Sequence, residues 1–217
     1  MTLARSYDRI VFRLLQRHKQ AKSIQYNYAS GDISPWEFRF LSESLLSNIW
    51  IDWNRFVKSV LVLSCAGSLT RSGVKVEARA GSDNSEDRIA YEVWQFGLGN
   101  TPKPSGSIRK GWEPTWADSS KIIKSVHGLK SSNYLTLLSA FGALGLDGPK
   151  RMRVVRNACA HKTRLNRNEV GQLRIYYLNT HFLEPIDIIW GISHSRNSIA
   201  VFEWIEDLES IADLATR

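Results

Sequence analysis

The run PWEFRFLSESLLSNIWIDWNRFVKSVLVLSC, which begins at Pro35, constrains the fold of this chain most. Phe38, Leu41 and Leu45 recur at helical spacing, and so do Trp50, Trp53 and Val57. Ser34 is a candidate N-cap, and Pro35 suits the first helical position, where its missing N–H is no loss. The spacing predicts one helix from about 35 to 66, longer than most globular helices. A helix of that length needs other helices beside it to cover its apolar side.

A second long helix is expected over residues 3 to 29. Ile10, Leu14 and Ala21, with Val11 and Leu15, form its apolar stripe. Arg5, Arg9, Arg13 and Arg17 form another stripe, at intervals of four, and "ASGD" ends the pattern. Helical signals return in "ADSSKIIKSVHGL", in "SNYLTLLSAFGALGL" and over 149 to 164, which Pro149 opens. "EVGQLRIYYLNTHFL" is mixed, while "EPIDIIWGI" has Pro185 at a helix start. "RNSIAVFEWIEDLESIADLATR" is amphipathic, with Ile199, Phe202, Ile205 and Leu208 on one face and five acids on the rest.

Residues 67 to 117 differ in character: seven of the 14 glycines lie here, together with Pro102, Pro104 and Pro114. "VKVEARA" alternates like a short strand, and "SEDRIAYEVWQFG" reads as a short helix capped by Ser85. A stretch of this length is functional or an insertion with structure of its own. The expectation is one all-α domain over 1–217, a helical bundle with 67–117 inserted between its second and third main helices.

Charge narrows the choice of partner. The 29 Lys and Arg outnumber 21 Asp and Glu, for a net charge of +8, which suits a polyanion such as nucleic acid. The N-terminal Arg stripe could contact phosphate, or pack against the acids Glu203, Glu206, Asp207, Glu209 and Asp213. Cys65 and Cys159 belong to no metal-binding spacing and read as small buried hydrophobes of a reducing compartment. The N-terminus lacks the apolar core of a signal peptide, and the apolar run "SVLVLSCAG" is too short to span a bilayer. A cytoplasmic protein with no membrane contact is expected.

Basic charge peaks in residues 150 to 167, which hold Lys150, Arg151, Arg153, Arg156, Lys162, Arg164 and Arg167 and no acid. Wound as one helix at about 100° per residue, 151 to 165 places Arg153, Asn157, His161 and Arg164 within roughly 80° of arc. Met152, Val155 and Cys159 fall opposite, as anchors to a core, and Ala158 and Ala160 flank the polar face. This set suits RNA backbone cleavage, in which a ribose 2′-OH attacks its neighbouring phosphate. Histidine moves a proton near neutral pH, and arginine donates forked hydrogen bonds to phosphate. Asn157 can orient either group, and the chemistry requires neither a metal nor another cofactor.

"VVRNACAH" resembles the signature of HEPN domains: Arg, four to six residues, His, with a polar residue, often Asn, directly after the Arg. Arg156, Asn157 and His161 match each element, over about ten residues. The resemblance implies an all-α bundle and a metal-independent endoribonuclease, with Arg156, Asn157 and His161 catalytic and Arg153, Lys162, Arg164 and Arg167 binding RNA. It also implies a homodimer whose two motifs share one cleft, an arrangement that would answer the separation of Arg156 and His161, about 140° apart on one helix. Many such proteins are toxins of toxin–antitoxin or phage-defence (abortive infection) systems. They act on tRNA or other RNAs, mRNA among them, beside an antitoxin or a defence sensor. One branch is silenced by adenylylation of a Tyr two residues after the His; here Thr163 stands in that place.

The alternative is a non-catalytic module of the same kind that binds RNA or a protein partner; a DNA-binding basic protein is a third reading. His18 reads as a surface residue of a basic helix, and His127, His181 and His194 as structural. Asp52 and Glu43 read as surface or capping residues, or as orienters facing the cleft. Arg71, Lys75, Arg79, Arg88, Lys103, Arg109 and Lys110, beside Trp94, Phe96, Trp112 and Trp116, could form a platform for single strands; the six acids of that stretch make a recognition or lid segment as plausible.

Overall fold

The computed structural model describes residues 1–108, 113–161, 163–178 and 184–217. Arg109, Lys110, Trp112, Lys162 and His181 lie outside them. The described residues form an all-α protein. In chain order its elements are α1 (Leu3–Ala29), α2 (Pro35–Ala66), β1 (Ser68–Leu69), β2 (Lys75–Val76), α3 (Glu86–Gly97), α4 (Ser119–Leu129), α5 (Tyr134–Phe141), α6 (Gly148–Ala160), α7 (Arg164–Leu173) and α8 (Ala200–Thr216). Two 3₁₀ segments, Arg174–Tyr176 and Pro185–Trp190, stand between α7 and α8. Among the described residues no helix is long and apolar enough to cross a membrane.

The chain divides into two compact units. Met1–Val11, Asp52–Leu146 and Glu209–Arg217 make the first; Phe12–Ile51 and Asp147–Leu208 make the second. The whole 67–117 stretch belongs to the first unit.

In the first unit Leu3 and Ile10 of α1, Trp53, Val57 and Leu61 of α2, and Ile211 and Ala215 of α8 are buried. β1 and β2 form a two-stranded antiparallel hairpin. Ser85 caps α3, its hydroxyl accepting the Arg88 amide at 3.4 Å, a cap that stabilises a helix by about 1 kcal/mol. α4 packs against α3, and Ser125 Oγ donates to the Val93 carbonyl at 3.2 Å. Arg79 and Arg88 each pair with Glu92 at 2.8 Å. Arg71 pairs with Asp213 and lies over the Tyr7 ring, and Trp116 is buried. Of the groups expected to form a platform for single strands, Arg79, Arg88 and Trp116 are therefore engaged inside this unit, whereas Lys75 and Lys103 are exposed. Asp52 is also buried, not at the surface, whereas Glu43 of the other unit is exposed. Burial pushes the Cys65 thiol up to about 11.

The second unit contains the basic run. Ser34 and Glu37 form a capping box at the start of α2: the Ser34 amide donates to the Glu37 carboxylate at 2.8 Å, and the Glu37 amide to Ser34 Oγ at 3.2 Å. Leu14, Ala21 and Ile24 of α1 are buried, but Leu15 is exposed, because it points about 100° away from Leu14. Trp190 closes the 3₁₀ segment over α2, its indole N–H donating to Ser42 Oγ at 2.9 Å. Val201, Trp204, Ile205 and Leu208 of α8 are buried.

The acids of α8 depart from the expected solvent face. Glu203 and Asp207 are inside, at 3% and 1% exposure. Both have partners: Arg151 lies 3.4 Å from Glu203, and Arg196 lies 2.7 Å from Asp207. The Gly148 amide also donates to Asp207 Oδ2 at 2.8 Å. A Cβ on Gly148 would stand 2.9 Å from the Trp204 Cα, so only glycine lets α6 start this close to α8.

Candidate functional site

α6 is anchored by Met152, Val155 and Ala158, all buried. Cys159, expected among the anchors, is only half-buried, and Ala158, expected beside the polar face, takes its place in the core. The opposite side carries Arg153 and Asn157, both half-buried, and leads to His161.

The helix ends sooner than the 149 to 164 expected from the sequence. Ala160 is its last residue, and His161 is the C-cap, in extended backbone at φ −132° and ψ 91°. Thr163 then caps α7, accepting the Asn166 amide at 3.2 Å. A threonine whose hydroxyl can serve a backbone N–H favours a helix start over a helix interior. Arg164 therefore begins a different helix and does not share the α6 face of Arg153 and Asn157. Arg164 and Arg167 are exposed in the first turn of α7, and Lys162 is outside the described residues.

Asn166 fastens this joint. Its side-chain amide donates to the His161 carbonyl at 2.7 Å and to the Asn157 carbonyl at 3.4 Å. The His161 amide donates back to Asn157 O at 2.8 Å, the last turn of α6. Sequence reasoning missed Asn166; the cue was Thr163 three residues earlier, a polar cap at a helix start.

Within the joint, Arg156 Nη1 donates to Asn157 Oδ1 at 3.3 Å. Both side chains are half-buried, while His161 is exposed. Among the described residues no hydrogen bond joins Arg156 to His161. The structure thus brings together Arg156 and Asn157, and Asn157 and His161 through the backbone. Arg151 of the basic run is not a solvated cation. Its side chain is 11% exposed, reaches Glu203 and Asp147, and lies with its guanidinium carbon 4.3 Å from the Tyr176 ring centroid.

The remaining histidines lie elsewhere. His18 is half-buried, not at the surface, with its ring 4.9 Å from that of Phe202. Burial, and then Lys22, hold it below the ordinary imidazole value. His127 and His194 are exposed. Among the described residues no group of three His, Cys, Asp or Glu side chains is placed to hold a metal ion.

The class defined by these elements is an all-α protein with a polycationic helix–helix joint. Comparison of the chain with protein-family models, with curated proteins and with solved structures finds no match in any of the three.

Proposed function

We propose that this chain is a metal-independent endoribonuclease of the HEPN type, cleaving RNA by attack of a ribose 2′-OH on the adjacent phosphate. One observation carries the reading: the joint between α6 and α7 presents an exposed His161 beside the Arg156–Asn157 pair, in a run with no acid from Lys150 to Asn168. His161 moves the proton between the 2′-OH, the leaving 5′-oxygen and solvent. Arg156 stabilises the crowded anionic phosphorus centre, and its contact with Asn157 aims the guanidinium. Arg153, Arg164, Arg167 and Lys162 attract the backbone, helped by the N-terminus of α7, whose amides favour an anion. The working site is composite, with Arg156 from one chain and His161 from a second copy in a homodimer. The biological setting is a toxin or phage-defence effector in the cytoplasm, acting on tRNA or mRNA and held in check by an antitoxin or a defence sensor.

The test is cleavage of defined RNA in EDTA by the wild-type protein beside His161→Ala. Loss of cleavage on the order of 10²-fold or more in the variant is expected for a proton-transfer group. A requirement for divalent metal, or full activity of His161→Ala, overturns the reading. One observation favours the second reading, a non-catalytic module that binds RNA or a protein: among the described residues of one chain Arg156 hydrogen-bonds Asn157, and no hydrogen bond joins it to His161. RNA retention with no cleavage product would establish the RNA-binding form of that reading.

A further inference from the structure

The face of α6 that leads to His161 also borders a groove. It has a volume of about 430 Å³, within the range of small-ligand sites. α6 lines it with Lys150, Arg153 and Val154; α7 and the following 3₁₀ segment line it with Gln172, Ile175 and Tyr176. Charged and polar groups of both signs make up much of the lining, and the apolar part includes the ring of Tyr176, a residue 41% exposed.

Tyr176 does not hang loose. Arg151 packs against its ring, and Arg151 is itself held by Glu203 and Asp147. A buried ion pair therefore sets the orientation of an exposed aromatic plane. A ring held in advance loses little freedom when a flat ligand stacks on it. Gln172 offers both a donor and an acceptor, as the edge of a nucleobase requires. Asp147 and Glu169 also line the groove; they suit exocyclic amino groups and disfavour a phosphate there. Lys150 and Arg153 supply the opposite charge on α6. Val154 stands six residues before Ala160, the end of α6, about 9 Å along the helix, and His161 follows directly. That separation is within reach of one strand that also crosses the α6–α7 joint.

We propose that this groove is a nucleobase pocket, in which a base of the RNA strand stacks on Tyr176 and is read by Gln172, next to the scissile phosphate. The pocket makes the cleavage base-selective. It rests on the ribonuclease reading for its role, though not for its existence.

Two measurements test it. The first is an NMR titration of the wild-type chain with each of the four nucleoside 5′-monophosphates and with inorganic phosphate, following Val154, Ile175 and Tyr176. One monophosphate should bind better than the others and better than inorganic phosphate. Tyr176→Ala should weaken it roughly tenfold, and Tyr176→Phe should restore it. The second is mapping of RNA ends made by the wild type, Tyr176→Ala and Gln172→Ala, where the variants should relax the base preference beside the cut. Equal binding of all four monophosphates and of phosphate, unaffected by Tyr176→Ala, overturns the pocket even if the RNA is still cut. Base-dependent binding without any cleavage in EDTA overturns the ribonuclease reading and leaves the pocket standing.

Discussion

Arg151 of α6 and Glu203 of α8 form an ion pair, 3.4 Å apart, in which both side chains are almost wholly withdrawn from solvent. The Glu203 oxygen not engaged by Arg151, Oε2, is buried without a hydrogen bond. Removing one partner of such a pair strands the other charge, whereas replacing both with apolar groups can be neutral. Glu203→Ala is therefore expected to cost about 3 kcal/mol by denaturant unfolding. Arg151→Met with Glu203→Leu should recover most of that loss. A double variant as unstable as the sum of the singles would show that the two residues act independently.

Gly148 gives a second, purely steric expectation. Gly148→Ala forces a methyl group against the Trp204 backbone and strains the hydrogen bond that the residue 148 amide donates to Asp207. A loss of about 1–3 kcal/mol follows for overpacking at a rigid contact. An unchanged melting temperature would mean that α6 and α8 separate more readily than their contact distances imply.

At the joint, Asn166→Ala removes the side-chain bonds to the His161 and Asn157 carbonyls. The stability loss should be about 1 kcal/mol. RNA cleavage should fall further than stability does, because the position of His161 loosens. Asn166→Asp, which cannot donate, should behave like the alanine variant; if it behaves like wild type, the two bonds do not hold the joint.

Arg156→Lys keeps the positive charge and loses the forked donor set, one arm of which reaches Asn157. The turnover rate in EDTA is expected to drop on the order of 10²-fold, as for loss of one aimed donor. Equal rates would mean that Arg156 acts only as a point charge.

His18 supplies a pH signature. Burial against Phe202 and the nearby Lys22 lower its titration below the ordinary imidazole value. The unfolded chain then takes up this proton at a higher pH than the folded one. Its contribution to stability is complete above the ordinary value and is lost as pH falls through the lowered one. NMR titration of the His18 ring should give a midpoint below that of an unfolded control, and His18→Gln should flatten this part of the stability curve.

Much of the helical framework was legible in the residues. Seam spacing in α1, and Ser34 with Pro35 before α2, are local signals, and both helices fall where these put them. Ser85 marked α3 for the same reason, since a cap acts within one turn of backbone. The end of α6 was less legible. The polar run His161 to Arg164 carries no apolar periodicity to mark a boundary, and the hydroxyl of Thr163 and the amide of Asn166 are what divide the run into two helices.

By itself the sequence determined an all-α chain, its long helices, and a run of cations around Arg156, Asn157 and His161, because helix periodicity, caps and charge are properties of neighbours in the chain. Tertiary structure alone decided which of those cations face outward. Arg151, within that basic run, is drawn in to Glu203, 52 residues away. The buried acids of α8 follow the same rule: a carboxylate enters a core only where a partner from elsewhere in the chain arrives to meet it, and no local pattern records that meeting.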